Sequence, residues 1–118
     1  MKELLIQTLD ILGYPVMLQG TLSDDAPYPD SFITFLTVDS FGTSAFDNET
    51  ASTAWRYQVT FYSVDPALLA TEAARIRATL KAAGFIPQGK GRDLPSDEPT
   101  HTGWTQDFYY LENEGVIQ

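Results

Sequence analysis

Residues 55–87 read WRYQVTFYSVDPALLATEAARIRATLKAAGFIP, and this stretch decides the fold. Its first eight residues alternate between two faces. One face carries the apolar set, which consists of Trp55, Tyr57, Val59 and Phe61. Such alternation, rich in aromatic and β-branched side chains, predicts a strand that is half buried. The strand therefore needs a second layer of structure against its apolar face.

The same stretch supplies that layer as a helix. Asp65 is suited to cap its first turn, because a carboxylate can accept hydrogen bonds from the free N–H groups there, and Pro66 follows at the first helical position. Gly84 stands where a left-handed C-terminal cap belongs. Between these signals one apolar stripe recurs at steps of four and three: Leu69, Ala73, Ile76, Leu80 and Ala83. We expect this stripe to lie across the sheet.

The rest of the chain completes one domain over residues 1–118. The further elements that its patterns predict are an amphipathic helix over 2–12 ended by Gly13, strands over 31–39 and 102–111, a strand start at 85–87, and an edge strand or extended lead-in at 14–18. This order predicts an α+β fold. We expect a mainly antiparallel sheet of four or five strands, with both helices packed on one face.

Three segments read as loops: 19–30, 40–53 and 88–101. Each is rich in Gly, Pro, Ser, Thr or charged residues. The 40–53 connection is far longer than a usual hairpin turn, yet it holds Phe41 and Phe46. These rings either tuck back onto the core of their own chain or belong to an arm that becomes ordered against a neighbouring subunit.

Composition narrows the class of protein. Sixteen acidic residues against seven Lys and Arg give a formal charge of −9, so binding to nucleic acid through the phosphate backbone is not expected. The absence of cysteine excludes a disulfide framework, thiolate zinc sites and a cysteine nucleophile. The N-terminal residues have neither a signal-peptide pattern nor a membrane-spanning one. We expect a soluble protein made in a cytoplasm.

Candidate catalytic chemistry is sparse. His101 is the single histidine, and its loop context predicts a solvated side chain rather than a general base. Asp24, Asp25 and Asp30 lack the spacing of a cation site and read as a solvated acidic loop. No dinucleotide or phosphate-loop motif is present. We therefore expect a protein that is not an enzyme and that has no cofactor and no metal.

The order of elements resembles the tail terminator, or tail-completion, proteins of long-tailed bacteriophages and the related head–tail joining proteins. Three features carry the resemblance: the opening helix MKELLIQTLDILG with its Pro-containing extension, the aromatic strand that runs through Asp65 and Pro66 into a helix ending AAGF, and the Pro/Asp-rich loop returning through WTQDFYYLE. The resemblance implies a structural protein of the virion tail or neck, assembled in the host bacterial cytoplasm. It further implies a ring, usually hexameric, that closes the tail tube and contacts tail-tube and head-connector proteins.

A ring requires two different, complementary surfaces on each subunit. The strand at 31–39 has apolar residues on both faces, so it and the 40–53 segment with Phe41 and Phe46 can supply one surface. A basic second surface is predicted on the exposed side of the long helix, which carries Arg75, Arg77 and Lys81. An acidic channel would also let DNA pass without phosphate contacts.

A second hypothesis belongs to a different class. A charge of −9 would also suit a small monomeric or dimeric binding or inhibitor module that masks a basic surface of its partner. The molar mass in solution separates the two, since an inhibitor of this kind stays small and a ring does not.

Overall fold

The structure is a computed structural model of the chain, and it describes residues 2–18, 29–42, 51–95 and 100–114. Its elements, in chain order, are α1 (Lys2–Asp10), β1 (Val16–Leu18), β2 (Ser31–Gly42), β3 (Ala51–Ser63), α2 (Ala67–Ala82), β4 (Ile86–Pro95) and β5 (Thr102–Glu114). The predicted α+β class is confirmed: in the described ranges, two helices accompany one open sheet of five strands.

The strands lie in the order β1-β2-β3-β5-β4. β1 pairs with β2 in parallel, and the other three pairings are antiparallel. Of the two alternatives for residues 14–18, the edge strand is the one observed, because Val16–Leu18 pairs alongside β2. A proline just before this edge strand is compatible with its position, since only an edge tolerates a missing N–H.

The core fills the space between one face of the sheet and both helices. The apolar face predicted for β3 is confirmed: Tyr57, Val59 and Phe61 are fully buried. The two helices contribute to this same core, which contains Leu5, Leu9, Leu12, Ile33, Phe35, Tyr57, Val59, Phe61, Ala73, Ile76, Leu80, Phe85, Trp104 and Phe108. The predicted stripe on α2 therefore faces the sheet, with its end residues Leu69 and Ala83 packed at the margin.

Both predicted caps of α2 form. The Asp65 carboxylate accepts a hydrogen bond from the N–H of Ala67 at 3.0 Å, and Pro66 already has helical dihedral angles, φ −60° and ψ −25°. At the other end Gly84 has φ 101°. The N–H of Gly84 bonds the carbonyl of Lys81 at 3.0 Å, and the N–H of Phe85 bonds that of Leu80 at 2.9 Å. This pair of bonds is a Schellman cap.

The predicted loop at 40–53 is too long. β2 continues to Gly42 and β3 begins at Ala51, so residues 40–42 and 51–53 are paired strand, not loop. The backbone of Phe41 pairs with Ala54. Phe46 lies outside the described residues, as do Asp24 and Asp25 of the 19–30 segment. The prediction failed because these strand ends have a polar composition. They lie outside the core, and a strand segment outside the core needs no apolar alternation.

The predicted loop at 88–101 is wrong over most of its length, because β4 runs from Ile86 to Pro95. The register of its pairing with β5 shifts between Gln88 and Arg92. Gly89 and Gly91 within this shift have φ 70° and 82°, which side-chain-bearing residues rarely adopt. The glycines thus form an irregular bulge in an edge strand, where prolines are also tolerated.

Neither helix in the described part of the chain has the length and apolar character needed to cross a membrane.

Candidate assembly surfaces

The face of the sheet turned away from the helices has two different halves. In the half nearer the start of β2 the side chains are buried, among them Phe32, Thr60 and Thr105, and the two threonine hydroxyls lie 2.9 Å apart. In the other half apolar side chains are exposed: Leu36 by 38%, Ile86 by 58% and Leu111 by 53%. These side chains lie on different strands, and the Arg56–Asp107 ion pair lies between Leu36 and Ile86, so the open half is a mixed apolar and charged surface.

One row of residues crosses this open half from edge to edge. Asp39 on β2 is paired with Arg56 on β3, Arg56 with Tyr109 on β5, and Tyr109 with Ile86 on β4. The Arg56 guanidinium lies 5.8 Å from the centre of the Tyr109 ring, within cation–π range. An acidic residue therefore stands at the β2 end of the row and an apolar one at the β4 end.

A buried glutamine holds the bulge of β4. The Gln106 side chain is 1% exposed, and its amide nitrogen donates to the carbonyl of Gly89 at 2.6 Å. Its carbonyl Oε1 accepts from Nε of Arg77 at 3.2 Å, while Nη2 of Arg77 donates to the carbonyl of Lys90 at 2.9 Å. Arg77 and Gln106 together satisfy backbone carbonyls that the broken strand register leaves without strand partners.

Trp104 completes the support of the bulge. A Cβ on Gly91 would lie 2.5 Å from the indole nitrogen, so the backbone approaches the ring closely enough to require glycine. Arg77 lies over the same ring, with 6.0 Å from its guanidinium carbon to the ring centre. The bulge is therefore packed from the side of α2 and has a defined shape.

Basic side chains collect around this bulge. A cleft of about 280 Å³ is lined by Arg56, Lys90 and Arg92, together with Gln88, Gln106 and Asp107. With Arg77, four of the seven Lys and Arg residues of the chain lie here. Arg56 donates from Nε and Nη2 to one oxygen of Asp107, at 2.9 and 2.6 Å, and this hydrogen bond raises the pKa of Arg56. The β4 edge is thus a basic region of an acidic protein.

A second, larger cleft of about 890 Å³ lies between α2 and the strands β4 and β5. Its helix side carries Ala70, Ala73 and Ala74, and Leu94 and Trp104 line the opposite side. Arg77, Lys90 and Asp93 also line it. The cleft offers apolar contact beside mixed charges.

His101, expected to be solvated, is buried at 7% exposure. Its Nε2–H donates to the carbonyl of Pro29 at 2.7 Å, its Nδ1 is hydrogen-bonded to the Thr100 hydroxyl at 3.0 Å, and its ring lies edge-on to that of Phe32. Sequence distance hid this partner, since Pro29 is 72 residues away. The histidine thus fastens the segment before β2 to the start of β5. No group of three metal-ligating side chains occurs in the described ranges.

Two tyrosines have perturbed acidity. Burial, with smaller contributions from the charges of Glu112 and Glu3, raises the pKa of Tyr57 to about 12. Its hydroxyl has no hydrogen-bond partner among the described residues. Tyr14 differs, because its hydroxyl donates to Glu72, and this bond is the main cause of its raised pKa.

Comparison with known proteins gives a likeness of fold. No family model matches the sequence, and no curated protein matches it. Among solved structures, a chain of the structure titled "Virion of native gene transfer agent (GTA) particle" superposes with a TM-score of 0.50. The alignment covers 91% of this chain and 84% of that chain at 10% sequence identity. The two chains therefore share a fold over nearly their whole lengths.

The structure separates the residues that the sequence grouped as one basic surface. Arg77 turns toward β4, as described above. Arg75 donates to Glu72 at 2.7 Å, next to Tyr14 on the other side of α2. Lys81 is exposed near the end of the helix. Lys90 and Arg92, which the sequence pattern predicts in a loop, lie with Arg56 at the sheet edge, and Arg77 bonds the Lys90 carbonyl.

Proposed function

We propose that this chain is a structural protein of a phage or phage-like particle. The observation that carries the proposal is the fold likeness to a chain of the gene transfer agent virion, because it spans 91% of one chain and 84% of the other. The order of elements that resembles tail terminators supports the same class.

Within that class, the chain forms a ring, hexameric as in tail terminators, that closes the tail tube and joins it to the head. Its partners are then further copies of itself, the tail-tube protein and the head connector. An elongated protomer of 52 × 29 × 22 Å, with exposed apolar side chains on the open half of the sheet and basic side chains at its β4 edge, offers unlike surfaces of the kind that a ring requires. The chain binds no cofactor, has no catalytic role and is located in the neck of the particle.

The charge of the protein supports this location. A chain with a formal charge of −9 repels the phosphate backbone, so DNA can move through the channel of such a ring without being held. Arg56, which could contact phosphate, is occupied by Asp107. We therefore expect no measurable binding of duplex DNA at physiological salt.

Electron microscopy tests the proposal. Negatively stained protein should show closed rings with a central channel, and an antibody to the chain should label the junction of head and tail on particles released by the strain that encodes it. Pre-immune antibody is the control. Labelling confined to the host cytoplasm, together with a protein that never forms rings, would overturn the proposal and favour the small acidic binding module.

A further inference from the structure

The two edges of the sheet are chemically unlike. β1 covers only Ile33, Thr34 and Phe35 of β2, so from Leu36 to Gly42 that strand has one side unpaired by any described strand. The other edge of the sheet is β4. Each protomer thus presents a β2 edge and a β4 edge on opposite sides of the molecule.

The part of β2 that no described strand pairs, named here the free β2 edge, is apolar and acidic. Leu36 and Val38 are 38% and 44% exposed, Asp39 is exposed, and the strand contains no Lys or Arg. Val38 stands at a shift of register between Thr37 and Asp39. The shift marks an extra residue in the strand and a local twist of the edge.

The β4 edge is apolar and basic. Ile86 is 58% exposed, and Lys90 and Arg92 are exposed around the bulge. Arg92 pairs with Thr105 and so belongs to the open face, whereas Asp93 pairs with Trp104 and belongs to the face that α2 covers. Asp93 therefore lies on the opposite face from Arg92 and does not offset its positive charge on the open face.

We propose that neighbouring subunits meet through these two edges, with the β4 edge of one copy against the free β2 edge of the next. The inference rests on the proposed ring and assigns its subunit contact. Lys90 and Arg92 of one copy face Asp39 of the next, and Ile86 packs near Leu36 and Val38. A contact of two like edges would instead bring two basic or two acidic edges together, which opposes association.

The contact is made by side chains rather than by extension of the sheet. Pro87, Pro95 and the glycine bulge interrupt the hydrogen-bonding edge of β4, and such interruptions prevent strand addition. The hydrogen bonds that Arg77 and Gln106 make with each other and with the bulge, called the clamp below, give the bulge a fixed shape. A preformed edge of this kind avoids the entropy cost of ordering a loop on assembly.

Charge reversal tests the electrostatic part. The basic-edge variant Lys90→Glu with Arg92→Glu, and separately Asp39→Lys, should each weaken self-association at least about tenfold in sedimentation velocity. Combining all three changes should recover association to within about threefold of wild type, because the charges are exchanged rather than lost. Thr71→Glu on α2 and Asp10→Lys on α1 are the controls, because they introduce an acidic and a basic charge at exposed helix positions outside both edges. Single variants that associate like wild type would overturn the assignment, as would a combined variant no better than the single ones.

Cross-linking tests the proximity. The chain has no cysteine, so the double variant Val38→Cys with Ile86→Cys carries one thiol on each edge. A short bis-maleimide should then give a ladder of covalent oligomers ending at the size of the ring, and neither single variant should go beyond a dimer. The control pair Ile11→Cys with Ile86→Cys uses another exposed apolar site. If wild type forms rings but the Val38→Cys with Ile86→Cys variant gives no ladder of oligomers, the proposed contact is overturned and the proposed function is not. A wild-type monomer at all concentrations would overturn both.

Discussion

Arg77 of the long helix donates through Nε to Oε1 of Gln106 on the central part of β5, at 3.2 Å. The two residues are 29 positions apart, and between them they hold the broken register of the edge strand β4. An irregular strand edge is thereby fixed by polar contacts from the side that the helix covers.

The first prediction concerns a variant of Gln106 that lacks the hydrogen bonds of this clamp. Gln106→Met keeps the approximate volume of the side chain but loses its hydrogen bonds, and leaves the Gly89 carbonyl and the Arg77 Nε without this partner. We expect a loss of about 2 kcal/mol in the free energy of unfolding, measured with urea. Gln88→Met, at an exposed position, should change it by less than about 0.5 kcal/mol. Equal effects of the two changes would show that the clamp contributes nothing.

The second prediction separates backbone strain from close approach in the bulge. Gly89→Ala meets no atom within 4 Å, so only its φ of 70° opposes the change, and we expect a cost of about 1 kcal/mol. Gly91→Ala has a similar φ but places Cβ 2.5 Å from the Trp104 ring. Its cost should exceed that of Gly89→Ala by at least about 1 kcal/mol. The melting temperatures of the two variants report this difference. A Gly91→Ala protein as stable as the Gly89→Ala protein would contradict the packing of Trp104 against Gly91.

The third prediction concerns alkaline pH. The pKa of Tyr57 is about 12 in the folded protein against 10.0 for an exposed tyrosine. The pKa of Tyr57 is higher in the folded than in the unfolded chain, so its contribution to the free energy of unfolding is fully present below pH 10. That contribution is lost as the pH rises from 10 toward 12, because the unfolded chain ionises first. Tyr57→Phe should therefore lose less stability across this window than wild type in urea titrations at successive pH values.

Tyr57 and Tyr14 allow a second comparison, at neutral pH. Tyr57→Phe should be at least as stable as wild type at pH 7, because the hydroxyl it removes has no hydrogen-bond partner in the part of the chain that is described. Tyr14→Phe removes a hydroxyl that donates to Glu72 and should cost about 1 kcal/mol. A reversed order of the two variants would contradict the assigned partners.

The fourth prediction concerns the core. Ile76 is fully buried between α2 and the sheet, so Ile76→Asp places an unpaired charge there and should prevent folding at 25 °C. Ala78→Asp introduces the same charge at an exposed position of the same helix and should keep the fold. Circular dichroism of both variants makes the comparison. A folded Ile76→Asp protein would mean that the helix presents another face to the sheet.

The central strand and helix were predictable because their signals are local. Alternation from Trp55 to Tyr62, the cap at Asp65 and the glycine at 84 each act within a few residues, and all three predictions are confirmed. The α+β class followed from the same signals.

Strand β4 was not predictable in this way. Its glycines and prolines have the composition of a loop, and its strand geometry depends on Gln106 and Trp104, which come later in the chain. His101 was misassigned for the same reason, because its partner Pro29 is distant in sequence. Arg77 was recognised as a surface charge, but its role in the clamp required a partner that no local pattern identifies. The predicted interface roles of five residues stay predictions: Phe41, Phe46, Arg75, Arg77 and Lys81.

The proposed ring is tested most directly by the molar mass of the purified protein, from sedimentation velocity and light scattering across a wide concentration series. We expect a hexamer of the 13.1 kDa chain, or a monomer that converts to a hexamer as the concentration rises with no stable dimer in between. A protein that remains a monomer or a dimer at every concentration would contradict it.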